Sequence, residues 1–220
     1  MALEWQSAGG GTPARHCEAL GLYKRNKYKP AGLMLDRVAE DMRTGKDMPF
    51  LDGKRTIANE YMLASVYQQA ANAWLQAEDL AMAVSAADSA EATAPKGTLL
   101  YQEILADRAR ILVADENFEA AYEDMARLIQ LKPEDGNYRL LYASAARMTN
   151  RLEIALTSLT VILTQRPDHL VALLERGHVY ELLGRKDFAR EDWLKIMDLD
   201  PDSALAQTAQ RNLQRLIQTP

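Results

Sequence analysis

The side chains that could act as nucleophiles or bases are few in this sequence and lie far apart. His16 and Cys17 are adjacent, but neighbours on a helix point about 100° apart and do not face each other, so we interpret both as structural. His169 follows an Asp in a turn, where helix capping or exposure to solvent is expected. His178 stands alone, and a lone histidine makes no catalytic site.

Paired carboxylates and glycine-rich loops give no stronger signal. Glu103 and Asp107 share a helix face at i, i+4, as acid–base or metal-binding carboxylates do, but Arg108 and Arg110 lie alongside and no histidine follows at ligand spacing. We interpret this stretch as a solvated charged face. The GGG at 9–11 lacks the Lys and Ser or Thr of a phosphate-binding loop. The sequence therefore predicts no enzyme, no cofactor and no metal site.

Composition narrows the class of protein. The 220 residues are 48% hydrophobic and 26% charged, which is ordinary for a globular protein. A net charge of −5, with Lys and Arg scattered along the chain, disfavours nucleic acid as a partner. The sequence has no apolar run long enough to span a membrane. Its single cysteine excludes an internal disulfide.

The elements that carry these residues repeat. Residues 121–133 read AYEDMARLIQLKP and residues 189–201 read AREDWLKIMDLDP. Pro167 lies midway between Pro133 and Pro201, so the period is 34 residues. Counting back from Pro133, the nearest earlier proline is Pro95, which requires four extra residues between two repeats. A fixed period of this length predicts a repeat architecture.

Two places in the repeat hold only small residues. With the proline at place 32, place 20 is Ala31, Ala83, Ala121, Ala155 and Ala189, and place 8 is Ala19, Ala71, Ala109, Ala143 and Gly177. Small side chains at fixed places indicate that two helix backbones cross closely there. Larger apolar residues surround them at a period of 3.6, so Trp74, Tyr180 and Trp193 are predicted in the core rather than in a ligand cage.

Breaking residues divide each repeat into two helices of about 14 residues. The segments LLGRKD, VADENF and RMTNRL end the first helix, and the proline ends the second. Helices this short are marginal alone in water and must be stabilised by stacking on their neighbours. The fold class is therefore predicted to be all-α, a solenoid of helix pairs.

This unit resembles the tetratricopeptide repeat (TPR), and the best copy is LVALLERGHVYELLGRKDFAREDWLKIMDLDP at 170–201. The resemblance implies a right-handed superhelical solenoid of about five repeats with a C-terminal capping helix. The predicted divisions are a segment at 1–11, repeats at 12–45, 64–97, 102–135, 136–169 and 170–203, a loop and helix extension at 46–63, an insertion at 98–101, and a cap at 204–220.

The two ends of the sequence differ. Residues 204–217 place Leu205, Ala209, Leu213, Leu216 and Ile217 on one helix face, as expected for a cap. Leu3 and Trp5 fit the last turn of a preceding helix. The ends also resemble bacterial TPR proteins of the cell envelope, which implies a periplasmic location with the export signal removed from a longer precursor. A cytoplasmic location is the alternative.

The resemblance implies a binding groove lined by the first helices, at places 2, 5, 9, 12 and 13. In this sequence those places include His16, Tyr23, Lys24, Gln68, Asn72, Gln76, Glu103, Arg110, Asn137, Ser144, Arg147, His178 and Glu181. The family's carboxylate clamp for chaperone tails is incomplete here: Asn72 matches it, but Gln68 stands in place of a Lys, and Asn137 and Leu141 replace a second basic pair. A chaperone-tail adaptor is therefore disfavoured.

Two functions follow as hypotheses. The first is a non-catalytic scaffold that binds a protein or peptide in this groove, with Arg110 and Arg147 receiving a partner's carboxylate. Alternatively, each of these arginines pairs with a neighbour, such as Arg110 with Glu103 or Asp107. The second hypothesis is a self-assembling unit that forms homo-oligomers through the solenoid ends, including the N-terminal end. An enzyme or a small-ligand receptor is a third, weaker reading.

Overall fold

A computed structural model describes residues 10–218 and is largely helical in that range. It divides into two compact halves, Met1–Asp124 and Met125–Pro220. Its helices are α1 (Gly11–Lys24), α2 (Tyr28–Thr44), α3 (Glu60–Gln76), α4 (Leu80–Thr93), α5 (Leu99–Ala114), α6 (Phe118–Leu131), α7 (Gly136–Met148), α8 (Leu152–Gln165), α9 (Leu170–Leu182), α10 (Lys186–Leu199) and α11 (Ala204–Gln218).

The turn inside each helix pair has the same geometry. The second residue after the first helix adopts a left-handed conformation, with φ between 58° and 72°, at Asn26, Glu78, Glu116, Asn150 and Gly184. The amide of the following residue then bonds back to the helix, as Arg185 does to the Tyr180 carbonyl at 2.8 Å. This is the hydrogen bond of a Schellman cap, which satisfies the last carbonyls of a helix.

Prolines and polar caps set the remaining helix ends. Pro95, Pro133, Pro167 and Pro201 each follow the last residue of a second helix by two positions, where proline no longer disrupts a helical hydrogen bond. Every first helix after α1 begins at a side-chain cap, such as Asp135, whose carboxylate accepts from the Asn137 and Tyr138 amides. His169 caps α9 in this way, its Nδ1 lying 3.2 Å from the Ala172 amide nitrogen, which is one of the two arrangements expected from the sequence.

The core of the N-terminal half forms around alanines that let helices approach closely. Ala19, Ala31, Ala71 and Ala83 are at most 1% exposed. They surround Trp74, which packs so close to α2 that a Cβ at Gly32 would lie 2.6 Å from its ring. Small residues and tryptophan therefore fit as complementary shapes.

The core of the C-terminal half follows the same rule. Ala143, Ala155 and Ala189 are fully buried, and so is Trp193. A Cβ at Gly177 would lie 2.3 Å from Trp193 Nε1, so this place requires glycine. The predictions of small residues at helix crossings and of tryptophans in the core are confirmed.

Residues 46–63 contain a feature that the sequence analysis missed. Strands β1 (Phe50–Leu51) and β2 (Lys54–Arg55) pair antiparallel. Between them, Asp52 and Gly53 both have positive φ, 50° and 76°, as a type I′ turn requires. The Asp-Gly pair was the available signal for this hairpin.

The C-terminal helix α11 packs on α9 and α10. One residue predicted on its buried apolar face is exposed instead. Ile217 is 82% exposed, whereas the polar Asn212 is buried. Asn212 is tolerated inside because its amide is hydrogen-bonded. Leu3 and Trp5 lie outside the described residues.

Candidate partner-binding site

In the N-terminal half, one carboxylate gathers three of the predicted groove residues. Asp107 on α5 accepts hydrogen bonds from Gln68 Nε2 at 2.8 Å, from Asn72 Nδ2 at 3.0 Å and from Arg110 Nη1 at 2.5 Å. Gln68 and Asn72 lie on α3, one turn apart, so both amides reach the same carboxylate on the neighbouring first helix. We call these four residues the Asp107 network.

The interpretation of residues 103–110 as a solvated charged face is wrong for two of them. The Asp107 side chain is 21% exposed and that of Arg108 is 17% exposed. Arg108 points away from the Asp107 network and bonds both carboxylate oxygens of the fully buried Asp124, at 2.7 and 2.8 Å. Glu103 is exposed, as expected. Residues four apart share a helix face, whereas adjacent residues do not, so Asp107 and Arg108 lie on two different faces of α5.

A small apolar pocket opens beside the Asp107 network. Its volume is about 200 Å³, and its lining residues are Leu20, Tyr23, Leu35, Gln69 and Asn72. Gln69 is held by His16, since its Oε1 lies 2.7 Å from His16 Nε2. Two predicted residues, Tyr23 and Asn72, thus share a concave site with an apolar floor.

The surroundings of Tyr23 affect both the packing of its ring and the pKa of its hydroxyl. Its ring contacts that of Tyr28 edge to face at 5.3 Å. Burial raises the pKa of Tyr23, and the neighbouring Tyr28 and the charge of Asp107 raise it further. The phenol therefore stays protonated and keeps its O–H donor. Lys24 and Gln76 are exposed.

A second carboxylate has the same role in the C-terminal half. Glu175 on α9 accepts from Arg147 Nε at 2.9 Å and from Ser144 Oγ at 3.2 Å. The side chains of Arg147 and Glu175 are 24% and 16% exposed. Asn137 is exposed at the start of α7.

The last two predicted groove residues are already occupied by α11. The Asn212 amide nitrogen lies 2.8 Å from His178 Nε2, and Arg215 donates to Glu181 at 2.6 Å. Burial lowers the pKa of His178, which favours the neutral ring and an acceptor role for Nε2. His178 and Glu181 therefore bind the chain's own cap rather than lining an open surface.

These contacts follow a rule that the sequence analysis did not extract. Asp107 and Glu175 both occupy place 6, and each accepts from places 5, 9 or 12 of the preceding repeat. A second rule joins an arginine at place 7 to a buried aspartate at place 23, in Arg108–Asp124 and Arg176–Asp192. The available signal was the shared ED of AYEDMA and AREDWL together with Arg at place 7 in the same repeats.

The two arginines proposed as an anion site adopt the alternative arrangement. Arg110 pairs with Asp107, and Arg147 pairs with Glu175. Each guanidinium is therefore neutralised locally, and no net positive charge is left at either position by these pairs. Arg110 remains 53% exposed, so part of its donor set still faces solvent.

Other kinds of site find no support in the described part of the chain. Within residues 10–218, no group of three His, Cys, Asp or Glu side chains is placed to hold a metal ion. In the same range, no helix has the length and apolar character needed to cross a membrane.

Comparison with known proteins identifies the fold. No protein-family model matches the sequence, and neither does any curated protein. YrrB, a TPR protein with an unusual peptide-binding site, aligns with a TM-score of 0.71 at 19% identity, covering 94% of this chain and 96% of YrrB. MamA from Desulfovibrio magneticus RS-1 aligns with a TM-score of 0.70 at 14% identity, covering 88% and 97%.

A tetratricopeptide repeat protein from Parabacteroides merdae is also similar, with a TM-score of 0.59 at 19% identity over 70% of this chain and 60% of that one. The chain therefore has the TPR fold, an all-α helical repeat solenoid. The prediction of its fold class is confirmed.

Proposed function

We propose that this chain is a non-catalytic scaffold that binds an extended peptide segment of a partner protein along the first helices of its N-terminal half. The observation that supports this most is the apolar pocket beside the Asp107 network. A pocket for one side chain next to fixed polar groups is the arrangement by which extended peptides are recognised. YrrB, which shares the fold, is described as having a peptide-binding site.

The Asp107 network fixes the direction of its amides. The N–H groups of Gln68 and Asn72 point to Asp107, which leaves their carbonyl oxygens to accept from a peptide backbone. Arg110 keeps further N–H groups for a peptide carbonyl. Because these side chains are held before binding, less conformational entropy is lost when a peptide docks.

The charge balance favours main-chain groups over a partner's carboxylate. Asp107 neutralises Arg110, so a carboxylate arriving at Arg110 would have to compete with this ion pair. We therefore expect recognition by hydrogen bonds to main-chain groups and by burial of one apolar side chain in the pocket. Such binding depends only weakly on salt.

The test begins with a random 12-residue peptide library displayed on phage and selected against the whole chain. We expect selected peptides to share one apolar residue, and we expect Asn72→Ala or Arg110→Ala to weaken their binding about tenfold or more. Arg37→Ala is the matched control, because Arg37 is an exposed arginine of the same half that lines neither the network nor the pocket.

Three outcomes would contradict the proposal. They are equal affinity in Asn72→Ala and wild type, equal losses in Arg37→Ala and Arg110→Ala, and a steep fall in affinity with salt. Sedimentation of the chain alone addresses the alternative function, since self-association at micromolar concentration would favour an assembling unit. The N-terminal end proposed for such contacts includes residues 1–9, outside the described part.

A further inference from the structure

A second pocket in the N-terminal half is lined by α2, α3 and α4 and shares no lining residue with the peptide pocket. Its volume is about 270 Å³, and it is lined by Asp36, Glu40, Tyr67, Met82, Ser85, Ala86 and Ser89. A water molecule takes about 30 Å³ of liquid volume, so the space admits a side chain. Its walls combine two carboxylates and three hydroxyls, those of Tyr67, Ser85 and Ser89, with the apolar surface of Met82 and Ala86.

Asp36 is the unusual group in this pocket. Its Oδ2 accepts from the indole N–H of Trp74 at 2.9 Å, and Trp74 is 1% exposed. Gly32 makes this approach feasible, since any larger residue there would collide with the indole. Satisfying a buried indole N–H does not require a charge, because Trp193 uses the Leu174 carbonyl, at 3.5 Å, for the same purpose.

The chain otherwise neutralises its buried carboxylates with arginine. Asp41 pairs with Arg15 at 2.7 Å, Asp124 pairs with Arg108 at 2.7 Å, and Asp192 does the same with an arginine of its own repeat. Asp36 is half-buried and has no ion-pair partner among the described residues. Burial raises the pKa of its carboxyl, and the Trp74 hydrogen bond opposes this without overcoming it.

We propose that this pocket binds the side chain of a lysine from a partner protein, with Asp36 as the counter-ion at its base. The ammonium group has three donors that point in different directions. Asp36, Ser85 and Ser89 offer acceptors on two helices rather than one planar pair, which suits ammonium better than the flat guanidinium of arginine. Met82 and Ala86 cover the methylene stem.

Glu40, the second carboxylate of the pocket, is exposed and already paired. It is bonded by Arg43 at 2.8 and 2.9 Å, and both side chains are 58% exposed. That pair leaves Asp36 as the carboxylate without a cation in the pocket. The net charge of −5 adds a general attraction for a basic partner.

The experiment uses the whole chain labelled with ¹⁵N at its tryptophan indoles, because the Trp74 N–H is bonded to the proposed counter-ion. The chain has three tryptophans, and Trp74→Phe assigns the signal. The probe is Nα-acetyl-lysine N-methylamide, compared with its norleucine and arginine counterparts. We expect a saturable shift of the Trp74 signal with the lysine probe, and binding about tenfold or more weaker with norleucine.

Asp36→Asn removes the charge and keeps an acceptor for Trp74, so it should abolish the lysine response without loss of the fold. Glu60→Gln is the control, since Glu60 is an exposed acid of the same half outside the pocket. In wild type, a ¹³C titration should show that the lysine probe lowers the pKa of Asp36. This second measurement stands even if the variant misfolds.

Equal responses to lysine and norleucine, a full response in Asp36→Asn, or an unchanged Asp36 pKa would each overturn the proposal. A stronger response to the arginine probe would overturn the choice of lysine. Asn72→Ala should retain the lysine response, because Asn72 belongs to the peptide pocket. Failure of this proposal is thereby distinguished from failure of the peptide-binding function.

Discussion

The close packing around Gly177 predicts that a larger residue at this position will destabilise the protein. Place 8 is alanine in four of the five repeats, and only the repeat that has tryptophan at place 24 has glycine there. A Cβ at Gly177 would lie 2.3 Å from Trp193 Nε1 and 2.8 Å from Cδ1, and Trp193 is fully buried. Because a buried ring cannot swing aside, the added methyl must displace a helix.

The expected effect of Gly177→Ala on the free energy of unfolding is the difference between two opposed contributions. Overpacking a core costs about 1–3 kcal/mol, and contacts this short against a rigid ring indicate the upper part of that range. Replacing glycine by alanine inside a helix returns about 0.5–1 kcal/mol. We therefore expect Gly177→Ala to lower the free energy of unfolding by about 2 kcal/mol, measured by urea unfolding followed by circular dichroism.

A double-mutant cycle isolates the cause. Combining Gly177→Ala with Trp193→Leu would copy the pairing of Ala143 with Leu159, which occupy places 8 and 24 of the preceding repeat. In a Trp193→Leu background, Gly177→Ala should become stabilising, so the coupling should reach about 2–3 kcal/mol. Gly21→Ala is the control, because its nearest neighbour is the flexible Arg25 side chain at 3.9 Å. The same loss in both backgrounds would refute the proposed clash.

Three further predictions concern the C-terminal half. Asp192→Ala removes two hydrogen bonds of 2.7 and 2.8 Å from a largely buried Arg176, and it should lower the free energy of unfolding in urea by about 2–3 kcal/mol. The double variant Arg176→Met, Asp192→Leu should be more stable than Asp192→Ala, and equal stability of the two would contradict this reasoning. Since burial lowers the pKa of His178 from 6.5, the unfolded state takes up more protons as pH falls, so stability should decrease below about pH 7, and less so in His178→Gln. A pH dependence unchanged by that substitution would exclude His178 as its source. Deleting residues 204–218 should cause aggregation, measured by light scattering, and a monodisperse product would show that α11 is not a cap.

The sequence predicted the packing that recurs within every repeat. Two helices of a pair must cross closely in each repeat, so small residues recur at places 8 and 20, and all were found in the core. VADENF was expected to end its helix, and α5 does end there, at Ala114 with Asp115 as the C-cap. The sequence did not predict that the left-handed residue of this turn would be Glu116. The structure imposes that conformation through its cap, whatever the side chain prefers.

Three of the residues predicted for the groove lie together in the structure, but the sequence did not predict what joins them. Gln68, Asn72 and Arg110 are brought together, but by Asp107, which sequence reasoning had assigned to a solvated face. His178 was expected in an open groove, and it binds the cap instead. Both errors concern contacts between different helices, and a helix-by-helix reading of polarity cannot show which polar groups will neutralise each other.

The recurrence of an acid at place 6 gives the two halves a common property. Asp107 and Glu175 each face an arginine, so each site presents directed hydrogen-bonding groups with little net charge. A surface of that kind discriminates by the direction of its donors and acceptors rather than by attraction at a distance. Asp36 differs because its charge has no ion-pair partner among the described residues. Under the two proposals, the same N-terminal half has a neutral pocket for a peptide backbone and a charged pocket for one basic side chain, and a partner that engaged both would be selected by two independent criteria.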